Sequence, residues 1–359
     1  MSDLRITTIR ARAVNVPLTY PVRTAVGVVD TSPLVLFDME TNQGVTGRAY
    51  VFTYTPLGLK PVRELLNALQ PVLAGQEVAP YCLEQLLQAR FRLLGNTGVA
   101  KIASAAIDMA AWDALAQSRG APLVNLLGGT RKPIPAYDSH SMDGPKIGPQ
   151  RAEKAIKEGL RAIKIKIGHA TVREDIASVA LIRKVIGDDI ELMVDLNQSL
   201  SVPEAIRRGR ALEEFRLAWL EEPTLQENYA GFSQIRQALT TPIQLGENWF
   251  SVDEMHKAIV AGAADLVMPD AMKIGGVSGW LRASALAATY QIPMSAHIFE
   301  EFSAHLMAVT PTAHWLEKMG LADPILREPL TYVDGMAIIP ERPGVGITWN
   351  EEAVQKYLI

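Results

Sequence analysis

The chain has 359 residues, 48% of them hydrophobic and 21% charged, with a net charge of −4. This is globular composition with room for more than one folding unit, and its mild acidity argues against nucleic acid or an anionic membrane surface as partners. The single cysteine, Cys82, excludes an intramolecular disulfide; with no apolar leader and no apolar stretch near 18 residues, the expectation is a cytoplasmic protein.

From the N-terminus, residues 4–16 and 34–53 read as three strands, the last two joined at the turn Asn42-Gln43-Gly44. Residues 17–33 between them are expected to form a loop, yet an apolar one, with Tyr20, Val22, Val26, Val28 and Val29. A solvated connection has little use for four valines, so this loop is expected to cover something; the next loop lies near 50–57 and carries Tyr54. Helical patterns follow over 57–74, 82–94 and 98–119. The last is alanine-rich, which permits close packing, and its Asp108 and Asp113 read as helix-surface or structural residues rather than ligands. Residues 1–130 are thus expected to form an α+β capping unit.

Beyond residue 130 one pattern repeats. Apolar runs end in turn at Asp138, Lys166, Asp195, Glu221, Glu247, Asp270, His297 and Glu317, at steps of 28, 29, 26, 26, 23, 27 and 20 residues. Each step suits a buried parallel strand with its crossover helix. Eight such strands close a barrel whose chemistry sits at their C-terminal ends, where these ionisable residues fall. The expected fold is α/β: a TIM-like (β/α)₈-type barrel over 131–325, modified to (β/α)₇β because no strand–helix unit follows Glu317. The last residues, 326–359, with Pro340, Pro343 and Gly344, are expected to return to the cap.

Asp195, Glu221 and Glu247 end three consecutive strands. Packed together, three carboxylates repel unless a cation neutralises them, and an all-oxygen set selects Mg²⁺, with Mn²⁺ as a possible substitute. Lys164 and Lys166 stand at i and i+2 and so face the same way, into the barrel mouth. Two adjacent ammonium groups lower each other's proton affinity, which suits Lys166 to act as a base. Asp270 beside His297 would orient the imidazole as a second base. Asn197 relates to Asp195 as Lys166 does to Lys164, and could hold a substrate hydroxyl or carboxylate. Glu317, crowded by other acids, is expected to keep its proton and to donate it toward a developing oxyanion. A cation with two bases on opposite sides fits removal of a proton next to a carboxylate and its return to the other face.

These residues, with the motifs SAAIDMAAWDALAQ, KIK, DLN, EEP, GEN and PDAMKIGG, resemble the enolase superfamily, in particular its mandelate racemase subgroup, along essentially the whole chain. The resemblance implies metal ligation by Asp195, Glu221 and Glu247. It implies base roles for Lys166 and for His297 with Asp270, and a general acid role for Glu317. It also implies that Lys164 and Asn197 bind the substrate carboxylate and hydroxyl, and that the assembly is a symmetric homo-oligomer. Val22, Val26, Val29 and Tyr54 resemble an apolar lid over an aromatic ring, and Ile298 and Met319 are placed to touch the substrate. The expected substrate is a small 2-hydroxy carboxylate. The expected reaction is racemisation of mandelate or a related aromatic 2-hydroxy acid, with acid-sugar dehydration as the alternative.

Overall fold

In the computed structural model, which describes residues 3–359, the chain opens with a three-stranded antiparallel sheet: β1 (Ile6–Thr24), β2 (Gly27–Thr41) and β3 (Thr46–Phe52). The stretch 17–33, expected as a loop, is instead the outer half of a β-hairpin, with Val22 opposite Val29 and Thr24 opposite Gly27 beside its turn. β-Branched residues favour extended backbone, so the valines that mark this segment as a cover also make it a ribbon. It is fastened to the barrel rim. The Met142 N–H donates to the Arg23 carbonyl at 3.0 Å, the Ser141 hydroxyl donates to the Pro21 carbonyl at 3.0 Å, and the Arg151 guanidinium lies 4.6 Å from the Tyr20 ring centre.

The alanine-rich helix Gly98–Ser118 packs against this sheet. Contact is closest at Gly47 of β3, where a Cβ would come within 2.0 Å of the Ala110 carbonyl oxygen, so no other residue fits there. Asp108 and Asp113 prove buried and structural, not surface groups. Asp108 accepts from the Ser278 N–H at 3.0 Å and the Ser278 hydroxyl at 2.5 Å; Asp113 accepts from the N–H groups of Arg48 and Val345 at 2.8 and 2.7 Å. The helix is thereby tied to the barrel, to its own sheet and to the C-terminal segment.

Eight parallel strands follow: β4 (Ile134–Ser139), β5 (Ala162–Lys166), β6 (Glu191–Asp195), β7 (Trp219–Glu221), β8 (Ile243–Leu245), β9 (Leu266–Val267), β10 (Met294–Ala296) and β11 (Ala313–Lys318). They pair in sequence order, and β11 closes on β4. Helices fill the crossovers. Val172–Ile186, for example, begins with a capping box between Thr171 and Glu174 and stops at Gly187. After β11 comes a hairpin not anticipated from the sequence, β12 (Thr331–Val333) and β13 (Met336–Ile338), whose second strand pairs antiparallel with β4. At the end of the chain the Ile359 N–H donates to the Ala13 carbonyl of β1 at 3.0 Å.

Register decides what enters the barrel. Lys164 pairs with Met193 and Met193 with Trp219; one layer higher, Lys166 pairs with Asp195 and Asp195 with Glu221. Tyr137, Ala162, Met193, Trp219 and Leu266 form their own apolar cluster, which plugs the interior and leaves the charged layer at the mouth. The main core lies between strands and helices and beneath the capping sheet. Among the described residues no helix is long and apolar enough to cross a membrane.

Candidate active site

Asp195, Glu221 and Glu247 are buried and can each bring one carboxylate oxygen within 4.8 Å of the others. Their orientations are set locally. The Asn197 N–H donates to Asp195 Oδ1 at 2.7 Å, and the Trp219 indole N–H donates to Glu221 Oε2 at 2.8 Å. Burial pushes the Glu221 carboxyl up against the pull of Lys164, and the neighbouring acids Asp195, Glu247 and Glu317 bring it to about 8. The cluster is short of positive charge, and its all-oxygen donor set fits a hard divalent ion such as Mg²⁺.

Both lysines are engaged with these acids. Lys164 Nζ lies 2.7 Å from Glu221 and 2.9 Å from Glu317, and Lys166 Nζ is paired with Asp195. Two expectations change here. Burial lowers the proton affinity of Lys166 and so does Lys164, but Asp195 together with Glu247 and Glu221 more than offsets them, so the net direction is upward, not downward. Burial favours a proton on Glu317, yet Lys164 and His297 hold its carboxyl down at about 2, so it is ionised and not protonated. Lys164 is also buried, only 1% exposed.

His297 directly follows β10. Its Nδ1 is 2.7 Å from Asp270 Oδ2, and its Nε2 is 3.3 Å from Glu247 and 3.9 Å from Glu317. Burial lowers its proton affinity, but Glu247 and Asp270 more than compensate and the net shift is upward. Asp270 caps the short helix that follows β9, accepting from the N–H groups of Met272 and Lys273 with its other oxygen, at 2.7 and 3.0 Å. One carboxylate therefore fixes both the loop and the imidazole.

Between the hairpin and the barrel mouth lies a cavity of about 550 Å³. Lys166, Asn197, Glu247, His297, Ile298, Glu317 and Met319 line it from the barrel; Val22, Val26, Val29 and Tyr54 line it from the cap. The valines are unequal: Val26, at the hairpin turn, is 68% exposed, while Val22 and Val29 are half-buried. Tyr54 is not purely apolar, since its hydroxyl is buried and has no partner; neither has Asn197 Oδ1.

Several lining residues escaped the sequence reading. Asn248 Nδ2 donates to Glu222 at 2.8 and 3.0 Å, and Lys273 Nζ donates to Asn248 Oδ1 at 2.6 Å while lying 4.3 Å from the Tyr54 ring centre. All three sit inside the motifs EEP, GEN and PDAMKIGG, and that adjacency was the available signal. Phe52, Ile102, Phe250 and Leu321 add further apolar surface. Tyr54, Asn197, Gln198, Glu222, Ile298 and Phe299 adopt left-handed backbone. For Ile298, a β-branched residue, that conformation is costly, and such strain gathers at functional sites.

A closed barrel with a carboxylate triad, paired lysines and a histidine–aspartate couple at its mouth, under an α+β cap, defines an enolase-type enzyme. Residues 149–353 match the enolase C-terminal domain-like family, and residues 6–128 match the N-terminal domain of mandelate racemase and muconate lactonizing enzyme. The chain belongs to this mandelate racemase/muconate lactonizing enzyme family of the enolase superfamily. A solved enolase from Bradyrhizobium, complexed with magnesium and mandelic acid, is 46% identical, with a TM-score of 0.96 over 100% of this chain and 99% of that one. The L-talarate/galactarate dehydratase of Salmonella typhimurium is 36% identical over 263 residues, 72% of this chain and 66% of its own length. The D-galactarolactone cycloisomerase of Agrobacterium fabrum is 30% identical over 381 residues, 99% of each chain.

Proposed function

We propose that this chain is a Mg²⁺-dependent racemase of mandelate or a closely related aromatic 2-hydroxy acid. The observation that carries the reading is that Lys166 and His297, from the second and seventh barrel strands, line one cavity, so a substrate held there lies between two bases. The apolar surface of Val22, Val29, Phe52, Ile298, Met319 and Leu321 supports an aryl substituent, as does the mandelic acid held by the Bradyrhizobium relative.

Asp195, Glu221 and Glu247 would hold Mg²⁺, which supplies positive charge to the substrate carboxylate and to the enediolate formed when the α-proton leaves. Asn197 offers its unpartnered Oδ1 to the substrate hydroxyl, while its Nδ2 stays on Asp195 at 2.9 Å. With Asp195, Glu221 and Glu247 neutralised by such an ion, Lys166 would lose the carboxylates that raise its proton affinity, and burial with Lys164 beside it would favour the neutral amine. Lys166 takes the α-proton of the (S) enantiomer. His297, oriented through Nδ1 by Asp270, takes that of the (R) enantiomer at Nε2. A substrate carboxylate brings a second negative charge toward Glu317 and restores its affinity for a proton, which it then donates to the enediolate oxygen.

The polar wall of Glu222, Asn248 and Lys273 favours a second reading, dehydration of an acid sugar, in which His297 would act as an acid to expel hydroxide from the β-carbon. Polarimetry of (R)-mandelate alongside keto-acid detection across a panel of acid sugars, both with Mg²⁺, separates the two. Decaying rotation without keto acid supports the racemase. Keto acid from a sugar with mandelate untouched replaces it with the dehydratase.

A further inference from the structure

Beside the substrate cavity lies a smaller one of about 100 Å³, between the base of the β1–β2 hairpin and the barrel rim. Leu18, Thr19 and Tyr20 of β1 wall it from the cap; Ser139, Ser141 and Arg151 wall it from the barrel. Val22, Met319 and Leu321 line both cavities, so the two meet at one partition. The same three residues supply part of the apolar surface assigned above to an aryl group. A ring held against them turns one edge toward the smaller cavity.

The partition has a pliable member. Glu300 pins the backbone beside it, accepting from the N–H groups of Met319 and Gly320, the latter at 2.7 Å. The Met319 side chain itself is only half-buried, and an unbranched thioether repacks around what it meets.

The buried polar groups of the smaller cavity are spent, with one exception. The Ser141 hydroxyl is bonded to the Pro21 carbonyl. Arg151, the only charged group on the lining, donates to Asp143 at 2.7 Å and to the Ser139 carbonyl at 3.2 Å. Thr19 and Tyr20 are exposed. Ser139, the last residue of β4, is 3% exposed, and its hydroxyl has no hydrogen-bond partner. A buried hydroxyl left unpaired is costly, and a polar group brought in by a ligand recovers that cost.

We propose that this cavity is a subsite for a hydroxyl group carried on the aryl ring of the substrate, and that Ser139 is the residue that recognises it. The proposal rests on the racemase reading, which places the ring. With Arg151 paired to Asp143, no charge is left over for an anionic substituent. A neutral hydroxyl can both donate to and accept from Ser139. The substrate class thereby narrows to ring-hydroxylated aromatic 2-hydroxy acids.

Isothermal titration calorimetry of the Mg²⁺-loaded full chain tests it with mandelate, 3- and 4-hydroxymandelate, and 3- and 4-methylmandelate. Each is added as the racemate, so that binding is read without net turnover. In wild type one of the two hydroxy acids should bind more tightly than mandelate. In Ser139→Ala the affinity ratio of that hydroxy acid to its methyl counterpart should fall roughly three- to tenfold. The Tm should hold, because the deleted hydroxyl bonds to nothing in the protein. Polarimetry of (R)-mandelate runs alongside. If mandelate is racemised but neither hydroxy acid is preferred, or the preference survives Ser139→Ala, the subsite is overturned and the racemase reading stands. A falling ratio without racemisation keeps the subsite and removes the racemase reading. If no aryl acid binds, both fall.

Discussion

The cavity wall separates two valines that the sequence treats alike. Val29 is half-buried and lines the site opposite Val22, whereas Val26 is 68% exposed at the hairpin turn. Val29→Ala removes two carbons, worth about 1.6 kcal/mol if fully buried against an aryl group and about 0.8 kcal/mol at half burial. At 1.4 kcal/mol per decade, the KM for mandelate should rise roughly fourfold. Val26→Ala should change it by less than about 1.5-fold, since little of that side chain leaves water on binding. Lactate, whose methyl group is too short to reach the wall, should inhibit both variants as it inhibits wild type. Initial rates by polarimetry with lactate as competitive inhibitor, and Tm as a folding control, give all three comparisons. Equal losses in the two variants, or an equal loss for lactate, would refute an aryl pocket built on Val29 and leave the hairpin as a general lid.

Activity should vanish on chelation and return with Mg²⁺, and Asp195→Asn, Glu221→Gln and Glu247→Gln should each abolish it in the same assay. Asp270→Asn removes a hydrogen bond of about 1.5–3 kcal/mol from His297. Exchange of the (R)-mandelate α-proton, followed by NMR in D₂O, should therefore fall about ten- to a hundredfold. The Tm should hold, because the asparagine Oδ1 still accepts from Met272 and Lys273. Buried His305 accepts from the Val124 N–H at 3.1 Å, and burial lowers it to about 4. Unfolded histidine binds a proton near 6.5, so between those values the unfolded state holds more protons and stability falls as pH drops, by roughly 3 kcal/mol in all. His305→Gln, which keeps an acceptor for Val124, should flatten that fall in urea unfolding between pH 4 and 7; an identical slope would remove His305 from the account.

The barrel was legible because each apolar run is followed within a few residues by an ionisable one and the i, i+2 pairs Lys164/Lys166 and Asp195/Asn197 show which face turns inward. Register then brings Lys166, Asp195 and Glu221 into one layer. The β12–β13 hairpin has a local sequence signature, Asp334-Gly335 between the short strands Thr331–Val333 and Met336–Ile338. Other features have no local signature. Left-handed backbone at Tyr54, Glu222 and Ile298 is imposed by tertiary packing on residues that do not prefer it. Lys273 meets Asn248 and Tyr54 only because separate loops converge. Charge states were the least accessible. A sequence shows which acids gather, but not that Lys164 sits between Glu221 and Glu317 and keeps the latter ionised.

The central claim is one base on each face of the substrate, and the most direct test is α-proton exchange in D₂O by His297→Asn, read by NMR on each enantiomer separately with Mg²⁺ bound. Lys166 remains in that variant. (S)-Mandelate should therefore take up deuterium without inversion while (R)-mandelate stays inert. Loss of exchange for both enantiomers with the metal still bound would contradict the two-base account and favour a single-base dehydratase.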